Sequence, residues 1–138
     1  MPQTISVGYK QLIAEAEKTV EVLDAKAAID QYGHDDVVFV DLRDIRELDR
    51  NGRVPGAFHC PRGMLEFWID PESPYHKPVF LADKKFIFLC AGGWRSALAA
   101  ATAQRMGLDP VAHVTGGFGA WEKAGGPVEK PEKSIGEA

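Results

Sequence analysis

The sequence predicts an α/β domain with a mainly parallel sheet, and three observations predict it. Two uninterrupted apolar runs, Val37-Val38-Phe39-Val40 and Phe86-Ile87-Phe88-Leu89, have the make-up of strands buried on both faces. Strand-like and helix-like segments alternate along the chain. Glycines at Gly33, Gly107 and Gly116-Gly117 punctuate the ends of those segments.

The elements follow in order. Val7 to Lys18 has helical spacing, with Leu12, Ile13 and Ala16 on one face. Val20 to Leu23 reads as a short strand. Asp24 then has the chemistry of an N-cap for a helix through Tyr32, closed by Gly33. The first buried strand ends near Asp41, and a short helix over Arg46 to Asp49 leads to an Asn51-Gly52 turn. Ala57 to Cys60 forms a brief strand, and Met64 to Ile69 a helical turn stopped before Asp70-Pro71. After the second buried strand, Ser96 to Met106 is an alanine-rich helix. Val111 to Val114 makes another strand and Phe118 to Ala124 a last helix.

Composition narrows the function classes. At 138 residues, 45% hydrophobic, the chain has the size and apolar content of one globular domain. A net charge of −4 argues against nucleic acid or an anionic membrane as partner. No apolar run approaches the about 18 residues of a membrane span. The first residues lack the apolar core of a signal peptide, so the cytoplasm is the expected address. Two cysteines, Cys60 and Cys90, do not make a disulfide scaffold. The scattered histidines, His34, His59, His76 and His113, show no metal-ligand spacing, and neither a metal nor a cofactor is expected.

The chemistry concentrates in LCAGGWRSALAA, residues 89 to 100. Cys90 ends a buried strand, and in parallel α/β sheets function sits where strands end and helices begin. Gly92 and Gly93 let the backbone turn tightly, so that successive amides converge on one point. The positive end of the following helix faces the same point. Such a cradle stabilises a thiolate and whatever anion is attached to it. The competing reading is a buried, inert cysteine; the glycine pair, Arg95 and the helix start favour the reactive one.

Three segments carry a family resemblance. CAGGWRS resembles the active-site loop of the rhodanese family of sulfurtransferases. VDLRDIREL followed by NGRVPGAFHCP resembles that family's Asp-x-Arg strand end, acidic helix and Gly-x-(Val/Ile)-Pro-Gly-Ala turn. GGFGAWEKAGGPV resembles its closing Gly-Gly-x-x-x-Trp-x-x-Ala-Gly-x-Pro-Val. The resemblance implies a rhodanese-like three-layer fold, a five-stranded, mostly parallel sheet flanked by helices. The resemblance covers the rhodanese domain over 20–128, and the residues outside it read as a helical extension over 1–19 and a flexible charged tail over 129–138. It also implies that Cys90 takes a sulfane sulfur from a donor such as thiosulfate or a persulfide. The acceptor would be cyanide, a thiol or a protein. Carried over by position, Ala91, Gly92, Gly93, Trp94, Arg95 and Ser96 bind the substrate. Ala91 departs from the arginine that many thiosulfate-using members carry, leaving one fewer cation for a dianionic donor.

Asp41 and Arg43 are expected behind the loop, Asp41 as a buttress to it or to Arg95 and Arg43 paired with Glu47 four residues on. The alternative for both is a framework salt bridge. Phe67, Trp68, Tyr75, His76 and Phe80 either wall the pocket or cover the sheet as core. Trp94 is either a docking residue at the loop tip or packed beneath those aromatics. Cys60 is either a resolving thiol or a buried one. Two further functions compete with sulfur transfer. One is a phosphatase or arsenate reductase of the same fold, for which the loop between Cys90 and Arg95 is a residue short. The other is a non-catalytic sulfur-carrier or regulatory module, against which the retained cysteine argues.

Overall fold

The two apolar runs lie side by side at the middle of the sheet, where both faces are covered. In the computed structural model, which describes residues 1–131, they form β2 (Val37–Asp41) and β4 (Lys85–Leu89). Three further strands complete the sheet: β1 (Glu21–Leu23), β3 (Phe58–His59) and β5 (Val111–Val114). Their order is β1-β5-β4-β2-β3, and every pairing is parallel. The mostly parallel sheet of the sequence reading is thus wholly parallel.

Alternation along β4 divides the interior in two. Phe86 and Phe88 point into one layer, with Leu65, Ile69, Ala99, Ala100 and Ala103. Ile87 and Leu89 point into the other, with Leu23, Ala28, Phe118 and Trp121. Each of these large apolar side chains contributes about 1.5–3 kcal/mol on burial. The helices that close the two layers are α1 (Tyr9–Thr19), α2 (Ala25–Asp30), α3 (Ile45–Asn51), α4 (Leu65–Ile69), α5 (Trp94–Arg105) and α6 (Gly117–Lys123). Alanines on α5, at positions 97, 99, 100 and 103, are fully buried and let that helix lie close on β4 and β5.

Local chemistry explains the boundaries. The Asp24 carboxylate accepts the Ala27 amide at 2.8 Å and caps α2 as expected. Asp44 caps α3 within a capping box closed by Glu47. α5 begins at Trp94, two residues before the expected start, because Gly93 takes a left-handed φ of +97° and serves as its N-cap. α1 presents Ala16 to the core but leaves Leu12 44% exposed, so its apolar face is only partly covered. Glu129, the first residue assigned to the tail, exchanges backbone hydrogen bonds of 2.9 and 2.8 Å with Arg53. Residues 132–138 of that expected tail lie outside the described residues. Among the described residues, no helix is long and apolar enough to cross a membrane.

Candidate active site

Cys90 stands at the carboxyl end of β4, the central strand, and is 1% exposed. Its Sγ accepts the Gly93 amide at 3.2 Å and the Ser96 amide at 3.4 Å, and lies 3.6 Å from the Ser96 hydroxyl. The Gly93 amide in the glycine turn and the Ser96 amide in the first turn of α5 are therefore both aimed at one sulfur. Ala91, Gly92 and Trp94 are exposed, while Gly93 and Ser96 are buried. The outer residues of the loop thus face solvent, while the thiol and the residues that anchor the loop are buried.

The anchor comes from the turn between β5 and α6. The Phe118 amide donates to the Cys90 carbonyl at 2.7 Å, and the Gly119 amide to the Ala91 carbonyl at 3.3 Å. A side chain at Gly117 would collide with both carbonyl oxygens, and one at Gly93 would come within 2.9 Å of the Gly116 amide nitrogen. Two glycine turns pack backbone to backbone, and this keeps the loop's carbonyls bonded away from the sulfur. Gly116-Gly117 mark a turn and part of a family resemblance in the sequence, and the packing adds their part in shaping the cysteine loop.

Arg95 points at α3. Its Nη1 and Nη2 donate to the two Glu47 carboxylate oxygens at 2.9 and 3.0 Å. The Arg95 bond holds the Glu47 carboxyl below its ordinary value, and Glu47 in turn holds the guanidinium above its own. The expected Arg43–Glu47 pair is therefore absent. Arg43 precedes the Asp44 cap and is not on the helix, so four-residue spacing does not bring it to Glu47. It pairs with Asp41 instead, Nε to Oδ1 at 3.0 Å and Nη2 to Oδ2 at 2.8 Å. It also donates to the Gly52 carbonyl at 2.9 Å and lies 4.2 Å from the centre of the Phe118 ring. This framework pair, both members 1% exposed, ties the end of β2 to α3 and α6.

Behind the thiol runs a polar line with little sequence signal. The Ser96 Oγ lies 3.0 Å from His113 Nδ1, and His113 Nε2 lies 2.8 Å from Glu17 Oε2. Above the loop, the Trp94 ring is 60% exposed and meets Tyr9 of α1, with centroids 4.8 Å apart. The other aromatic candidates turn elsewhere. Phe80 stacks on Phe86 and meets Phe58, which Trp68 also meets edge-on. His76 Nδ1 bonds the Trp68 carbonyl at 3.0 Å, and Phe67 and Tyr75 are exposed. Cys60 is fully buried in the core, where burial pushes its thiol up to about 12. Beside Ala91 a groove of about 260 Å³ is lined by Arg50, Asn51, Phe118, Glu122 and Lys130 together with Arg43 and Gly119.

A parallel five-stranded sheet that sets a cysteine in an amide cradle at the end of its central strand defines a rhodanese-like domain. The chain belongs to that family, whose sequence profile, the rhodanese-like domain, matches residues 22–124. It is 29% identical over 98 residues to a sulfurtransferase of Allochromatium vinosum, covering 71% of this chain and 83% of that one. It is also 29% identical over 108 residues to the mitochondrial thiosulfate sulfurtransferase of Saccharomyces cerevisiae, covering 75% and 72%. Among solved structures, a Rhodopseudomonas palustris protein of unknown function, described as a possible tyrosine phosphatase, is 62% identical. It superposes with a TM-score of 0.91, covering 94% of this chain and 99% of that one. The profile and the two sulfurtransferases support a family of sulfurtransferases.

Proposed function

We propose that the protein is a sulfurtransferase of the thiosulfate:cyanide type, working through a Cys90 persulfide. The observation that carries this reading is the pair of amides, from Gly93 and Ser96, directed at Cys90 Sγ. In the first half-reaction the Cys90 thiolate attacks the sulfane sulfur of a donor. A sulfur–sulfur bond forms at Cys90 and the donor's own bond to that sulfur breaks, its electron pair leaving with the donor residue. In the second, cyanide or a thiolate attacks the outer sulfur and Cys90 departs as thiolate. Amides preorganised around a single anionic atom favour both ends of this exchange. Gly92 and Gly93 shape the cradle, Arg95 braces it, and exposed Ala91 and Trp94 flank its mouth. Trp94 is also the residue a protein acceptor would meet first. With Ala91 supplying no charge, Arg50 in the adjoining groove supplies positive charge that attracts an anionic donor, while Lys130 pairs there with Glu122.

The 62% identical protein described as a possible tyrosine phosphatase gives the second reading. Two features favour sulfur. Four residues separate Cys90 from Arg95, and the Arg95 guanidinium is committed to Glu47 on both terminal nitrogens. The test is the intact mass of the purified protein offered thiosulfate or a persulfide. The expected result is a gain of one sulfur, lost again to cyanide and absent in Cys90→Ser. No gain with any donor, together with Cys90-dependent phosphate release, would reject this reading.

A further inference from the structure

His113 lies on β5, 1% exposed, on the sheet face it shares with Val111, Phe86 and Phe88. An imidazole among hydrocarbon is costly unless both nitrogens are bonded. Here both are, to Ser96 at 3.0 Å and to Glu17 at 2.8 Å. Ser96, itself fully buried, lies 3.6 Å from Cys90 Sγ. Glu17 of α1, His113 of β5, Ser96 of α5 and Cys90 after β4 thus form one line, and it ends on the sulfur.

We propose that this line is a proton relay, in which His113 takes through Ser96 the proton that Cys90 loses and Glu17 is the positioning residue. The inference rests on Cys90 being the nucleophile of the proposed sulfurtransferase.

The donors and acceptors along the line permit this transfer. A carboxylate only accepts, so His113 Nε2 carries a hydrogen toward Glu17. Nδ1 is then an acceptor in the neutral ring and a donor in the imidazolium. Two arrangements leave every group bonded. In the first, the Cys90 thiol donates to Ser96 Oγ and the Ser96 hydroxyl donates to Nδ1. In the second, Nδ1–H donates to Ser96 Oγ and the Ser96 hydroxyl donates to the thiolate. Passing from first to second breaks the S–H bond, forms a new O–H bond with that proton and moves the former hydroxyl proton to Nδ1. No electron moves between residues and no proton enters or leaves. A neutral thiol and a neutral ring become a thiolate and an imidazolium.

The charges around the ring favour the second arrangement. Glu17 lies where it would pair with an imidazolium, and Arg95 stands near the Cys90 sulfur. The register neighbours on β1 and β4, Val22 and Phe88, carry no charge, and α5 presents Ser96. A hydrocarbon side chain at position 113 would fill the same layer without polar demands. Glu17 is 32% exposed on its side chain, which gives the buried ring a route to solvent protons. Glu17 also precedes the segment matched by the family profile, so α1 completes the thiol's surroundings twice, through Glu17 and through Tyr9 on Trp94.

The experiment reads the ultraviolet absorbance of the thiolate at neutral pH, as the difference between each protein and its Cys90→Ser counterpart. Cys60 is silent there, its thiol being pushed up to about 12. His113→Asn keeps a hydrogen-bonding group toward Ser96 without a proton acceptor, and the expected thiolate signal falls roughly tenfold. Glu17→Gln keeps the contact and loses the charge, with a severalfold fall expected. Nitrogen NMR of the wild-type His113 ring is expected to show both nitrogens protonated when the thiolate is present, and one in Cys90→Ser. An undiminished thiolate signal in both variants, or the same ring protonation with and without Cys90, overturns the relay. If His113→Asn does not fold, Glu17→Gln, at a partly exposed position, decides. Neither readout uses a sulfur donor. Sulfur transfer with an undiminished signal rejects the relay alone, and an intact relay without sulfur transfer rejects the sulfurtransferase reading alone.

Discussion

Glu47 grips Arg95 with both carboxylate oxygens, at 2.9 and 3.0 Å, across 48 positions of sequence. The pair joins the start of α3 to the first turn of α5 and so fixes the wall of the cysteine loop. Glu47 also accepts the Asp44 amide at 2.8 Å, so α3's cap and the loop's arginine share one side chain.

That sharing gives an acid limit to activity. Glu47 is held below the ordinary carboxylate value of 4.5, first by the Arg95 hydrogen bond. A depressed carboxyl contributes stability that is fully present above its unfolded pKa and lost as pH falls through the folded one. The grip is therefore fully present above about pH 4.5 and is released only as pH falls through the lowered folded value beneath it. Sulfur transfer in the wild type should fall as pH drops through that range, whereas Glu47→Gln should start lower and lack that component of the fall. Because Arg95 is 40% exposed, the global stability change should stay within about 1 kcal/mol. Rate–pH profiles of the two proteins, with unfolding curves alongside, check this.

Arg95 itself should tolerate lysine poorly. A guanidinium meets a carboxylate with two parallel N–H groups, while an ammonium offers a point charge. Arg95→Lys is expected to keep part of the activity and Arg95→Ala less, with the larger losses for anionic donors. Donor saturation kinetics measure it; near-wild-type rates in both variants would leave donor binding to the cradle amides alone.

The two cysteines should separate cleanly. Cys90→Ser is expected to fold and lose transfer. Cys60→Ala removes a buried sulfur and should cost on the order of 1 kcal/mol while keeping most turnover. Its thiol, pushed up to about 12, is a poor candidate for a resolving nucleophile. Peptide mapping after mild oxidation should find no Cys60–Cys90 disulfide.

Gly117→Ala tests the backbone anchor. Gly117 has φ of +58°, and its added Cβ would press on the Cys90 and Ala91 carbonyls. The left-handed conformation alone costs a non-glycine residue roughly 1–2 kcal/mol, and the collision adds to it. Lowered thermal stability and transfer are expected together, although residue 117 has no side chain near the sulfur.

The sheet and the cysteine cradle were legible because their signals are local. Phe86 to Leu89 states a buried strand in four letters, and Gly92-Gly93 before a helix states a turn that gathers amides. What escaped were contacts made by crossover. Glu17 and His113 stand 96 positions apart, so the line behind the thiol leaves no spacing to read. The Arg43–Glu47 expectation failed for a related reason. Spacing of four has meaning on a helix, and Arg43 stands before the cap, where burial turns it onto Asp41.

Under the proposed function, loop size should separate sulfur from phosphate chemistry here. The Gly93 and Ser96 amides lie 3.2 and 3.4 Å from Cys90 Sγ, a spacing that suits one anionic atom. A phosphoryl group brings three outer oxygens and needs a wider ring of donors. It also needs arginine donors aimed at those oxygens, and Arg95 turns one N–H from each terminal nitrogen to Glu47. The wild-type protein should transfer sulfur from a sulfane donor and hydrolyse an aryl phosphate negligibly. One glycine inserted between Gly93 and Trp94 should weaken sulfur transfer by misplacing the amides. Combining that insertion with Glu47→Gln frees the guanidinium, so any gain in phosphate release should be largest in the combined variant. Parallel assays of the two reactions on the same preparations decide it. Cys90-dependent phosphate release that exceeds sulfur transfer in the wild type would overturn the sulfur assignment.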